Sequence, residues 1–215
     1  MENILIAGAH GTTGKKIVNL LNQSSQYNPI AMVRKQEQVD YFKSQGIDTV
    51  LADLEKDVSP AFDNSIDKVL FAAGSGGKKV VEVDQEGAKK LVDASKNNGV
   101  KKFVMLSSLG AENPEEATEL KEYLKAKHNA DEYLKNSGLN YTIVRPGSLT
   151  NDSLTNHITL EKSLSKRGEI SRNDVAMTLT TCLTDNLASN QTFEIINGDT
   201  LINEALDNIS ATHAK

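Results

Sequence analysis

The sequence predicts an α/β fold: one domain, residues 1–215, built on a doubly wound parallel sheet with helices on both faces. Two patterns predict it. Short apolar runs alternate with helical spacings along the chain, and the first run leads directly into a glycine-rich turn and a helix. A chain of 215 residues suits one sizeable core, and two domains would be cramped.

The first element is residues 3–14, NILIAGAHGTTG. Ile4, Leu5, Ile6 and Ala7 make a strand, glycines follow at 8, 11 and 14, and Ile17, Val18, Leu20 and Leu21 carry a helical spacing. Gly8 lets the chain leave the strand in a conformation that a side chain forbids. Gly11 lets the backbone approach a pyrophosphate, and Gly14 lets the helix lie close against the strand. The helix start, at Thr12 and Thr13, offers unpaired N–H groups and partial positive charge to phosphates. Strand, turn and helix together read as a dinucleotide cradle. His10, between the first two glycines, either packs over the turn or turns its ring to a phosphate.

Residues 29–34 (PIAMVR) form the second strand. Folds of this kind that select NAD place an acid about 20 residues past the glycines, for the ribose hydroxyls. Arg34 and Lys35 stand there instead. A guanidinium grips a 2′-phosphate with paired hydrogen bonds, whereas a carboxylate repels it. The expected cofactor is therefore NADP(H). The plainer reading of Arg34 is a solvated side chain at a strand end.

Residues 36–46 read as a helix ended by Gly46, and 48–52 (DTVLA) as the third strand. Asp53 and Leu54 follow at the edge where an adenine lies in a doubly wound sheet. Asp53 either accepts from the adenine amino group or caps the next turn. Residues 68–73 (KVLFAA) form the fourth strand, nearly all apolar, as in a strand covered on both faces. Ala72, Ala73 and Gly74 open a small-residue turn to Gly77, either a passage beside a cofactor or a plain flexible loop. A helix over 79–98 ends at Gly99.

Residues 101–106 (KKFVML) form the fifth strand and run into Ser107 and Ser108. A helix over 115–136 stops before Gly138, and 140–144 (NYTIV) forms the sixth strand, closed by Arg145, Pro146 and Gly147. From residue 148 the pattern breaks into a polar segment, and the stretch to 170 reads as a lid on the substrate side. Residues 168–170 make a short strand, and Ser171 caps a helix over 172–184 with Asp174 in its first turn. A strand at 192–196 and a helix at 202–209 follow, and the last residues are expected to fray.

Tyr123 and Lys127 are four apart on one predicted helix and share a face. A lysine cation beside a phenol lowers its pKa from about 10, which equips tyrosine to exchange a proton near neutral pH. Ser107 or Ser108 could hydrogen-bond the same substrate oxygen. A tyrosine with a lysine four residues on is also common on a solvated helix. The net charge of −5 argues against a nucleic-acid partner, and no apolar run approaches the ~20 residues that span a bilayer. Lone Cys182 sits in an apolar helical run, which favours packing over reactivity and fits a reducing cytoplasm. The residues ahead of the first strand lack the basic and apolar regions of a signal peptide, so no secretion signal is expected. His10, His128, His157 and His213 show no metal-ligand spacing, so no metal is expected. Monomer and oligomer are both compatible with the sequence.

The sequence resembles the short-chain dehydrogenase/reductase superfamily, and more closely its atypical, NmrA-like NAD(P)-binding members. The motifs are GAHGTTG at 8–14, AMVR at 31–34, ADL at 52–54, AAG at 72–74, SSLGA at 107–111, the run YLKAKHNADEYLKNSGLNYTIVRPG at 123–147, and ISRNDVA at 170–176. The resemblance implies a Rossmann fold holding NADP(H) along the carboxyl ends of the strands. It implies Tyr123 as acid/base, Lys127 on the ribose, a serine at 107 or 108 on the substrate, and Pro146 and Gly147 near the nicotinamide. In fully active relatives an asparagine stands in the helix after the fourth strand. Asp84 occupies that position here, as an aspartate does in the atypical members. Only a short tail follows Gly147, which argues against a bulky nucleotide-sugar substrate. Two functions follow: an NADP(H)-dependent reductase of a small carbonyl or quinone-like compound, or a non-catalytic NADP(H) sensor.

Overall fold

The computed structural model describes residues 1–211; His213 and the chain end expected to fray lie outside the described residues. In chain order the elements are β1 (Glu2–Ala7), α1 (Thr12–Asn22), β2 (Tyr27–Val33), α2 (Gln36–Lys43), β3 (Asp48–Leu51), β4 (Lys68–Phe71), α3 (Ala88–Asn97), β5 (Lys102–Leu106) and α4 (Lys121–Lys135). There follow β6 (Tyr141–Pro146), β7 (Ser148–Thr150), β8 (His157–Glu161), β9 (Glu169–Ser171), α5 (Arg172–Thr181), β10 (Gln191–Asn197), β11 (Thr200–Leu201) and α6 (Ile202–Ala211). The parallel part of the sheet runs β3-β2-β1-β4-β5-β6-β10. β8 and then β11 extend it in antiparallel sense.

Alternation along each strand sends side chains to opposite faces, and two cores result. Ile4, Ile6, Val104 and Val144 meet Ile17, Phe42, Leu179 and Leu206 of α1, α2, α5 and α6 on one face. Leu5, Val69, Phe103 and Ile143 meet Leu91, Val92, Ala130 and Leu134 of α3 and α4 on the other. This is the doubly wound α/β architecture that the sequence predicts.

Three expectations need correction. The helix over 79–98 opens with a π-helical segment, Val80–Gly87, before α3. A methyl on Gly87, the last residue of that segment, would stand 2.8 Å from Leu54 Cβ, so the segment ends close against the turn after β3. The helix over 115–136 starts at Lys121, because Pro114–Glu116 forms a separate 3-10 turn and Leu120 takes a left-handed φ of +57°. The segment 148–170 is not one long loop. β7 pairs with β9, and β8 buries Ile158 beside β10. Strands of three to five residues in a polar stretch carry too little alternation to be read from sequence.

Ser171 does cap α5, accepting the Asp174 N–H at 3.0 Å. The Asp174 carboxylate also gathers the N–H groups of Thr155 and Asn156 and pins that turn. Cys182 is fully buried, and burial pushes its thiol up to about 12. Two buried lysines at the starts of β4 and β5 hold the end of the α5 region: Lys68 donates to Leu183 O, and Lys102 to Thr184 O and Leu187 O. No helix among the described residues is long and apolar enough to cross a membrane.

Candidate active site

β1 lies between β2 and β4, so the strand order reverses at β1, where folds of this kind form their ligand crevice outside the carboxyl ends of the strands. The glycine turn fills one wall. Gly8 has φ +84°, and a methyl there would stand 2.6 Å from the Ala73 backbone. The turn after β1 and the passage after β4 thus touch. A methyl on Gly14 would lie 2.1 Å from Gly8 O, so α1 starts flush against the turn. A methyl on Gly11 would meet only Gly8 O, at 3.2 Å, and otherwise face open space. Gly11 caps α1 without a side-chain acceptor, and the first turn of α1 carries no acid. Thr12 is exposed and Thr13 buried. Such uncapped N–H groups beside open space fit a pyrophosphate.

The other predicted contacts fall around this turn. His10 stands edge-on to Tyr41 at 5.4 Å and to Phe42 at 6.2 Å, the packing role weighed above. Burial, with Lys15 nearby, holds its pKa below the ordinary value. Arg34 is exposed at the end of β2, with its guanidinium 4.0 Å from Glu55 Oε2. Asp53 accepts the Glu55 N–H at 3.1 Å and so caps the turn after β3. Leu54 is buried against Gly87. Gly74 lies against Asp84, 3.4 Å from Oδ1 to where its Cβ would be.

Asp84 and Lys127 meet inside the protein. Asp84 is fully buried and Lys127 is 3% exposed. Their charged atoms are 3.4 Å apart. Asp84 Oδ2 accepts the Ser75 N–H at 3.0 Å, and Lys127 Nζ donates to Leu106 O at 3.3 Å. The same ammonium lies 5.7 Å from the ring centre of half-buried Tyr123. Contacts therefore run unbroken from Gly8 through Ala73, Gly74, Asp84 and Lys127 to Tyr123.

The two serines part company. Ser107 is buried and its hydroxyl donates to Asp131 Oδ2 at 2.8 Å, so this member of the pair is withdrawn from the crevice. Ser108 is half-buried and its hydroxyl reaches only Leu109 O, at 3.3 Å. Pro146 accepts the Leu109 N–H at 2.9 Å and ties the serine turn to β6. Gly147 is explained by packing: a methyl there would stand 2.2 Å from Gly168 O.

Sequence reasoning missed the network behind Ser107. Arg145 Nε donates to Asp131 at 2.9 Å and Nη1 reaches Glu112. Burial pushes the Asp131 carboxyl up, and the Arg145 guanidinium opposes this. The signal that could have found Asp131 is its position four after Lys127, on the same helix face. Among the described residues no cluster of three or more His, Cys, Asp or Glu side chains could hold a metal.

A Rossmann-type crevice with an uncapped glycine turn defines a dinucleotide-binding protein. The chain belongs to the NAD(P)H-binding family, whose model matches residues 8–186. The atypical short-chain dehydrogenase/reductase resemblance is thereby confirmed. The chain is similar to an uncharacterized sugar epimerase, YhfK, of Bacillus subtilis, 41% identical over 94% of this chain and 98% of that protein. Among solved structures it is similar to the oxidoreductase ylbE of Lactococcus lactis, with TM-score 0.87, 32% identity and 98% of each chain covered. It is also similar to a Bacillus halodurans protein assigned provisionally to NAD-dependent epimerases/dehydratases, with TM-score 0.90, 38% identity, and 97% of this chain and all of that one covered.

Proposed function

We propose that this protein is an NADP(H)-dependent oxidoreductase that reduces a small carbonyl or quinone-like substrate, with Tyr123 as proton donor. The observation that carries the reading is the Lys127 ammonium held 5.7 Å from the Tyr123 ring at the end of the contact path from the glycine turn. Its relatives carry both epimerase and oxidoreductase names, so the chain's own residues have to decide.

In this reading the backbone of residues 8–14 holds the pyrophosphate, Arg34 holds the 2′-phosphate, Asp53 and Leu54 border the adenine, and residues 72–74 pass beside the ribose. Lys127 is within reach of that ribose, and Pro146 and Gly147 border the nicotinamide. A reduced nicotinamide supplies the hydride when bound. The Tyr123 phenol gives its proton to the substrate oxygen, and Ser108 hydrogen-bonds the same oxygen. Lys127 supports the developing phenolate. The segment 148–170, with its β7–β9 and β8 pairings, lies over the substrate side as a lid, and the setting is cytoplasmic.

A second reading, a non-catalytic NADP(H) sensor, draws on one observation: the Asp84 carboxylate, 3.4 Å away, already engages the Lys127 ammonium that the first reading needs beside Tyr123. The test is NADPH oxidation with a panel of aldehydes and quinones. Tyr123→Phe should cut turnover about 100-fold or more. Undiminished turnover removes Tyr123 as donor, and tight NADPH binding with no substrate consumed selects the sensor.

A further inference from the structure

Three loops at the carboxyl edge of the sheet bring charges to one place. Arg34 ends β2, Glu55 follows β3, and Lys79 closes the passage after β4. Glu55 Oε2 lies 4.0 Å from the Arg34 guanidinium, and Glu55 Oε1 pairs with the Lys79 ammonium. Glu55 is not placed by chance. Asp53 holds its backbone N–H at 3.1 Å, and Lys90 grips the flanking carbonyls of Leu54 and Lys56 at 3.1 and 3.2 Å. Its side chain is 24% exposed, whereas Arg34 and Lys79 are 57% and 52% exposed. One carboxylate on a pinned turn thus faces two long, exposed cations.

We propose that Glu55 is a placeholder that Arg34 and Lys79 exchange for the ribose 2′-phosphate. Lys79 is then a second cation that selects the phosphorylated coenzyme, and Glu55 sets how strongly both select it. This rests on the NADP(H) reading above. A phosphate monoester carries about 1.5 to 2 negative charges and three acceptor oxygens, so it outcompetes a single carboxylate for two cations. It must still displace Glu55, and it remains near that negative charge. A ligand without the 2′-phosphate leaves the Arg34–Glu55–Lys79 contacts in place.

The experiment is calorimetry with adenosine 2′,5′-bisphosphate and with ADP, on the unmodified protein, Glu55→Gln, Lys79→Met and Glu37→Gln. Glu37 is another acid near this edge, paired with Lys35 at 3.2 Å, and controls for net charge. Glu55→Gln should tighten the bisphosphate by roughly threefold to tenfold and leave ADP unchanged. Lys79→Met should weaken the bisphosphate alone, and Glu37→Gln should change little. Weaker bisphosphate binding in Glu55→Gln, an equal gain in Glu37→Gln, or an unaffected Lys79→Met overturns the placeholder. If the unmodified protein prefers ADP, or binds neither ligand, the NADP(H) reading falls and the placeholder with it.

Discussion

The Lys127 ammonium and the Asp84 carboxylate form an ion pair 3.4 Å apart with almost no access to water. Each charge needs the other, because an uncompensated charge in the interior is costly. The pair also joins α4 to the π-helical segment after β4, and so joins the Tyr123 face to the coenzyme crevice.

Asp84→Asn should therefore destabilise the fold by about 3–5 kcal/mol, the usual cost of removing one partner from a buried pair. Asparagine still accepts the Ser75 N–H, so the loss reports the charge. Chemical denaturation measures it, and a loss below about 1 kcal/mol would show that Lys127 finds compensation elsewhere.

Arg34→Ala should weaken NADPH about tenfold more than NADH, since a charge-assisted contact to the 2′-phosphate exists for one coenzyme only. Isothermal titration with both coenzymes gives the ratio. Equal losses would end the assignment of Arg34 to the phosphate.

Gly11 and Gly14 should respond differently to alanine. A methyl on Gly14 strikes Gly8 O at 2.1 Å, so Gly14→Ala should lower stability and coenzyme binding together. A methyl on Gly11 meets only Gly8 O at 3.2 Å, so Gly11→Ala should fold, keep nearly the parent melting temperature, and lose affinity for both coenzymes. Unchanged coenzyme affinity in Gly11→Ala would place the pyrophosphate elsewhere.

Lys102 gives a pH dependence. Burial pushes its pKa down to about 8 from an ordinary value of 10.5. Between these values the unfolded chain holds a proton that the folded chain has released, so stability rises with pH there. Relative to Lys102→Met, the parent should gain up to roughly 3 kcal/mol from pH 7 to pH 11. A parallel pH profile for the two proteins would mean that the ammonium is not desolvated.

The sequence by itself determined the parallel strands, the glycine turn and the charge at position 34. These are recorded in local spacing: apolar alternation, three glycines between strand and helix, and an arginine where an acid would serve NAD. Tertiary structure alone decided the rest. Ser107 and Ser108 are adjacent and chemically identical, yet only Ser107 faces Asp131, because it continues the face of Phe103 and Met105 that packs with Ala130 and Leu134 of α4. Glu55 and Lys79 are 24 residues apart and meet only because β3 and β4 end at the same edge of the sheet. The polar stretch after Gly147 becomes part of the sheet once β10 offers β8 an edge to pair with. Spacing along a chain reports its own helix or strand period, whereas contacts between loops depend on strand order, which no local pattern encodes.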